Sequence, residues 1–292
     1  MRVQRCNDLQ TFYDRVTPFL QQREAEHNML LGYMGDLLRQ PPETPPAHSY
    51  MGYVETDTGD VVAAAYYSGY RLFLTYPKAG YETALNMLLN DAASRDIDLI
   101  LVPSEFDPSV SDLWFARTQR RLIPEMPMRA YRLDAVIPPT NVAGTMRWAT
   151  PDDTFVLDWT VRFHIDTFGE TEPDRVSIAR SNKRFYSEGP YGLALWEVNG
   201  EPVSMAATIG LSPTGMRIGL VYTPEEHRGH GYASALVAAL SQSILDSGLQ
   251  FCTLNTDLHN PTSNKIYQSI GYVPVCNLTM YDAEPIEKEE SR

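Results

Sequence analysis

Arg228-Gly-His-Gly-Tyr-Ala233 crowds two glycines and an alanine into the start of a run where Leu236, Val237, Leu240 and Ile244 repeat at helical spacing. A helix start so poor in side chains exposes N–H groups that have no intrahelical acceptor, and the positive end of the helix dipole adds to them. Glycine also lets an anion come close to the main chain. The chemistry these residue types suit is the holding of a diphosphate by Arg228, Gly229, His230, Gly231, Tyr232 and Ala233, with Arg228 as the permanent cation. A dinucleotide fingerprint is a poorer fit, because Ser234 stands where its third glycine would be. A P-loop is excluded for want of a Lys-Ser/Thr pair.

A second constellation follows at Asn255-Thr-Asp-Leu-His-Asn-Pro-Thr-Ser-Asn-Lys-Ile-Tyr-Gln-Ser-Ile-Gly-Tyr272. Asn260-Pro261 caps and opens a helix, Ile266, Tyr267 and Ile270 form its apolar face, and Gly271 closes it. A phenol with a reference pKa of about 10 keeps its proton at neutral pH, so Tyr267 suits a general acid; the plainer alternative is a core aromatic. The candidate carboxylates for taking up a proton are Glu170, Glu172 and Glu197, each with the competing reading of a solvated surface acid.

Both constellations resemble the GNAT acetyltransferase superfamily. Arg228 to Ala233 matches its Arg/Gln-x-x-Gly-x-Gly/Ala signature and follows a strand, while Asn260, Ser263, Tyr267, Gly271 and Tyr272 match its Asn-x-x-(Ala/Ser)-x-x-x-Tyr-x-x-x-Gly-Phe/Tyr pattern. The resemblance implies acetyl-CoA as cosubstrate, with Asn255, Asn260 and Ser263 near the pantetheine or phosphate region and the Tyr267 hydroxyl beside the sulfur. It further implies that the backbone of Leu220, Val221, Tyr222 and Thr223 pairs with the pantetheine arm, an amide near Val221 or Tyr222 polarising the acetyl carbonyl. The implied reaction is N-acetyl transfer to a primary amine by direct attack. One departure stands out: the strand Met216–Tyr222 lacks the carboxylate these enzymes often carry there. The alternative is therefore a non-catalytic acyl-CoA-binding sensor or interaction module.

The elements that must position these residues can be read from periodicity. Met216, Ile218, Leu220 and Tyr222 alternate as a strand, and Thr223-Pro224 stops it. Gly248 ends the helix behind the loop, and Phe251–Asn255 is a strand that a right-handed crossover sets parallel to the first. In the GNAT fold these two strands splay apart.

The order strand, two helices, three strands, helix, strand, helix, strand occurs twice. Met146-Arg147 opens the second copy as Met1-Arg2 opens the first, and Tyr191 to Val203 parallels Tyr50 to Val62. The expected fold class is α/β, two tandem GNAT-like domains, each with a mixed, centrally splayed sheet flanked by helices. Residues 1–137 form a degenerate copy that walls the acceptor cleft, 138–144 a linker, 145–283 the catalytic copy and 284–292 a flexible acidic tail. Degeneracy is read from Thr75 to Thr83, which has a single glycine and places Glu82 where a phosphate would lie, and from the lack of tyrosine between Glu105 and Glu125. Pro41 to Pro46 reads as a stiff loop.

Composition sets the outer limits. The chain has 292 residues, 43% of them hydrophobic, and a formal charge of −13. That balance disfavours nucleic acid and is compatible with a small-molecule or peptide amine. No apolar run reaches membrane-spanning length and the N-terminus opens into a polar helix, so a cytoplasmic protein is expected, with a homodimer as one possible assembly. Cys6, Cys252 and Cys276 lie far apart without metal-type spacing, and no metal is expected.

Overall fold

The structure, a computed structural model, describes residues 1–41 and 49–285. Most of the expected proline loop at 41–46, and residues 286–292 of the expected tail, lie outside the described residues. In chain order the elements are β1 (Arg2–Arg5), α1 (Leu9–Leu20), α2 (Asn28–Arg39), β2 (Tyr50–Glu55), β3 (Val61–Tyr67), β4 (Arg71–Leu74), α3 (Thr83–Ala92), β5 (Leu99–Pro103), α4 (Asp107–Thr118) and β6 (Arg120–Leu133). There follow β7 (Thr145–Trp148), α5 (Val156–Phe168), α6 (Arg175–Asn182), β8 (Leu193–Val198), β9 (Glu201–Leu211), β10 (Gly215–Tyr222), α7 (Tyr232–Asp246), β11 (Phe251–Asp257), α8 (Pro261–Ser269) and β12 (Val273–Pro285). The second series repeats the first element for element.

Two compact units result. One comprises Met1–Ala130, Thr256–Asn260 and the chain from Val275; the other comprises Tyr131–Asn255 and Pro261–Pro274. The sequence expectation assigned 145–283 to one continuous module, whereas the residues of β12 from Val275 count with the first unit. There β12 pairs antiparallel with β5, from Leu278 opposite Pro103 to Asp282 opposite Leu99. Alternation within β12 reads the same whichever β-strand accepts it, so the assignment is invisible locally. The expected linker, 138–144, is tied down near both ends. The Ile137 amide just before it donates to the Ile270 carbonyl at 2.9 Å, and the Trp196 indole donates to the Ala143 carbonyl at 2.9 Å.

In the first unit β1, β2, β3 and β4 pair antiparallel in sequence, and α3 carries the chain over so that β5 lies parallel to β4. Helices cover both faces. Leu85, Leu88 and Leu89 of α3 and Trp114 of α4 bury against Val54, Ala63 and Ile100. Phe12, Val16, Leu31 and Met34 of α1 and α2 bury against Ala64, Tyr66 and Leu101. Each such side chain contributes about 1.5–3 kcal/mol on burial.

The second unit has the same arrangement. β7, β8, β9 and β10 pair antiparallel, and α7 returns the chain to place β11 parallel to β10. Leu236, Val237, Leu240 and Ile244 of α7, with Tyr267 of α8, pack on one face. Val156 of α5 packs on the other, against Leu195, Met205 and Tyr222.

A buried histidine ties three elements of the first unit together. His27 Nδ1 donates to the Leu20 carbonyl at the end of α1, at 3.0 Å, and Nε2 accepts the Tyr76 amide beyond β4, at 3.1 Å. This pairing is that of the neutral ring. Burial lowers its pKa to about 4. Because the folded value lies below the unfolded one, this contribution to stability is complete above about pH 6.5 and is lost as pH falls towards 4. Denaturant unfolding should show about 2 kcal/mol less stability at pH 5 than at pH 7 from this group alone. A His27→Gln variant should remove that part of the slope; an unchanged slope would locate the acid sensitivity elsewhere.

Candidate active site

The site grows from the way two parallel strands part. β10 and β11 are in register only at Gly215–Phe251, Met216–Cys252 and Arg217–Thr253. On its other side β10 follows β9 from Gly219 opposite Ala207 to Tyr222 opposite Met205, using three steps where β9 uses two. Leu220 and Val221 are the bulge, and Leu220 has a left-handed φ of 51°. A leucine held there stores about 1–3 kcal/mol of strain. Among the described residues, Leu220 and Val221 thus have no strand partner on either side. Two carbonyls expected to meet a ligand are already engaged: that of Tyr222 accepts from Ser204 Oγ at 3.1 Å, and that of Thr223 from Arg228 Nε at 2.9 Å.

Beyond Thr223 the chain makes one short helical turn, Glu225–His227, and reaches the glycine loop. Gly229 and Gly231 have φ of 83° and 80°. Both are left-handed, which is the reason for glycine at these positions. α7 then begins with no side-chain cap, and its first hydrogen bond runs from the Ala235 amide to the Gly231 carbonyl. Among the described residues, the amides of Gly229, His230, Gly231, Tyr232, Ala233 and Ser234 meet no acceptor. Such a row of donors at the positive end of a helix fits a diphosphate. The His230 ring stacks on Tyr232, with centroids 5.3 Å apart and planes at 13°.

β11 adds a second polar lining. Among the described residues, Oγ1 of Thr253, the last residue paired with β10, and both amide atoms of Asn255 just beyond it are buried without a partner. Unpaired buried donors and acceptors are costly unless a ligand meets them, and an arm bearing amides would do so. The backbone bulge, the amide row and Asn255 therefore fit a CoA-type cosubstrate.

Tyr267 is the one buried residue of α8, 8% exposed, in the core with the rings of Tyr131 and Tyr272 at 6.4 and 6.1 Å. Burial pushes its pKa up to about 12, so it is a phenol at neutral pH. No group among the described residues hydrogen-bonds its hydroxyl. Ser263 lies on the same helix, while Asn260 precedes it and counts with the first unit.

The carboxylate candidates divide. Glu197 Oε2 accepts from Arg147 Nε at 2.5 Å, and Arg147 also holds Asp153 with two bonds of 2.8 Å. The same device recurs at Glu55 with Arg2 in the first unit, so Glu197 is an anchor of the strand edge rather than a free base. Glu170 accepts from His164 Nδ1 at 2.9 Å, and Glu172 is exposed with no partner among the described residues. A carboxylate that sequence reading passed over is Asp166, on α5, which accepts from Arg228 Nη2 at 2.6 Å. Its signal was present: it falls seven residues after Trp159, on the same helical face, and Trp159 packs on Tyr222 at 6.1 Å.

The first unit has the same frame with other groups in it. The Gly80 amide donates to Glu82 Oε1 at 2.9 Å, and the amides of Tyr81, Ala84 and Leu85 meet the carbonyls of Lys78, Tyr81 and Glu82. A carboxylate of the chain stands where the other unit has bare donors. In the register of the α4 and α8 segments, Asp107 stands for Asn260, Val110 for Ser263 and Trp114 for Tyr267. Trp114 is buried with its indole N–H unpaired.

Residues 195–278 match the family model described as FR47-like protein. An uncharacterized N-acetyltransferase of Bacillus subtilis, YycN, is 38% identical over 48 residues, which are 16% of this chain and 31% of that protein, so the match spans about a third of the relative's length. A GNAT-family acetyltransferase structure from Colwellia psychrerythraea superposes with a TM-score of 0.56 at 11% identity, over 97% of this chain and all of the other. A tandem GNAT protein from the clavulanic acid biosynthesis pathway gives 0.54 at 15% identity over 99% of each chain. The structural likenesses show the fold, two GNAT-like copies in tandem. Among the described residues no group of side chains could hold a metal ion, and no helix is long and apolar enough to cross a membrane.

Gly231→Ala puts a Cβ at 3.2 Å from Val142 Cγ2 on a residue with positive φ. It should cost about 1–2 kcal/mol. Scanning calorimetry should show a midpoint lower by about 2–6 °C; an unaltered midpoint would remove the left-handed turn from the account of the loop.

Proposed function

We propose that this chain, which carries a GNAT-type segment in its second unit and the tandem GNAT fold throughout, is an acyl-CoA-dependent N-acyltransferase that passes the acetyl group of acetyl-CoA to a primary amine. The observation that carries this reading is the row of unpaired amides from Gly229 to Ser234 at the start of α7, next to a strand whose bulge leaves Leu220 and Val221 unpaired. The first feature binds a diphosphate and the second takes an amide-bearing arm. Together they fix a thioester at the strand end.

The chemistry supplied by the cosubstrate is an acyl carbon joined to a good leaving group. The chain supplies the rest. An amide of the bulge, Val221 or Tyr222, polarises the carbonyl, a contribution of about 3–4 kcal/mol where such donors have been removed from other enzymes. Tyr267 gives its proton to the departing sulfur; raised to about 12, it is protonated at neutral pH, and among the described residues it has no partner to compete for that proton. Glu170 and Glu172, on the segment that borders the acceptor side, are the remaining candidates for proton removal from the amine. Glu197 is left out because Arg147 holds it. The first unit, with Glu82 in its cradle and Trp114 in place of the phenol, is proposed to bind no CoA and to serve as a structural partner.

The test has two parts. Calorimetry should detect CoA binding, and a screen of primary amines with acetyl-CoA should release thiol. Tyr267→Phe should lower kcat by about 10²-fold or more, with CoA affinity within about twofold, since the phenol acts on the leaving group rather than on binding. Unaltered turnover would remove Tyr267 as the acid. CoA binding without turnover of any amine would instead favour an acyl-CoA sensor.

A further inference from the structure

The arginine of the glycine loop already has two partners. Its Nε donates to the Thr223 carbonyl at 2.9 Å, and its Nη2 to Asp166 at 2.6 Å. Its guanidinium also lies 5.9 Å from the Tyr222 ring. One guanidinium therefore brings the Asp166 carboxylate to the end of β10, beside the bulge. That strand has no carboxylate of its own. α5, which carries Asp166, is seated there by Trp159 on Tyr222.

The ion pair is built to exchange. Both side chains are about half exposed, at 50% and 46%, and ion pairs in that setting are weak. A diphosphate seated on the amides of Gly229 to Ser234 carries more charge than one carboxylate and offers the same planar donor more acceptors. The guanidinium is attached to the loop that would hold that diphosphate. If Arg228 turns to the phosphates, Asp166 is left as an unpaired anion at the reacting end of the strand.

The geometry points to Asp166 as the residue that recruits the acceptor, unmasked when the diphosphate of the acyl donor draws Arg228 away. The inference rests on the acyltransferase reading and deepens it by naming the residue that couples acceptor binding to donor binding. Asp166 is a specificity residue here, with no bond made or broken at it.

The experiment uses the full chain, calorimetry, and benzylamine, a cation at neutral pH, as the acceptor probe. With wild-type protein, benzylammonium should bind about tenfold tighter at saturating CoA than without it. Asp166→Asn should abolish that difference. The same variant should bind CoA about twofold to fivefold tighter, because the phosphates no longer compete with a carboxylate for Arg228. A merely structural pair would give the opposite sign, with both ligands weakened. Asp166→Glu, which keeps the charge, should retain the coupling, so loss in Asn with retention in Glu separates charge from misfolding. Wild type that binds CoA but shows no coupling, or an Asn variant with unaltered or weaker CoA affinity, overturns the inference alone. Wild type that binds no CoA overturns the acyl-donor reading and this one with it.

Discussion

The parallel ladder between β10 and β11 ends after Arg217 and Thr253, and the second unit is organised around what that ending leaves unpaired. Backbone donors and acceptors inside a protein must find partners. Here the bulge at Leu220 and Val221 breaks the pairing on the β9 side at the same level, so the main chain there is open on two sides. Strain at a left-handed leucine is tolerated because the flanking ladder over-determines it, with Gly219 and Tyr222 fixed opposite Ala207 and Met205. The loop from Arg228 and the helix α7 then add bare amides at the end of the same strand.

The two units show how little of a fold is function. Strand order, crossover and helix placement agree element for element, and both units part their central strands after three paired residues. What differs is a few side chains on that frame. Glu82 fills with its own carboxylate the position that Gly229 and Gly231 leave open. Trp114 stands in the register of Tyr267, so an indole N–H replaces a phenol hydroxyl there. The second unit likewise holds its carboxylates by individual arginines. Arg147 is shared between Glu197 and Asp153, while Arg228 pairs with Asp166 at a half-exposed position.

Periodicity and turn residues were enough to read the repeat, the fold class and both glycine-loop and α8 motifs. Alternation in β10, the stripe Leu236, Val237, Leu240 and Ile244, and the stop at Gly248 are properties of neighbouring residues, and these lie in the chain itself. The bare helix start was legible for the same reason: with two glycines and no capping side chain, its amides meet no acceptor among the described residues.

What the tertiary structure alone decided concerns partners distant in the chain. Glu197 looked like a candidate base until Arg147, fifty residues away, was found on it. The sequence marks Arg228 as a permanent cation, but not that Asp166, sixty-two residues away, holds its guanidinium. β12 follows α8 in the chain yet pairs with β5, because a strand's alternation records which face is buried and carries no mark of which neighbour completes its ladder. Local order follows from local sequence; the pairing of charges and strand edges is settled only when the chain brings remote segments within reach.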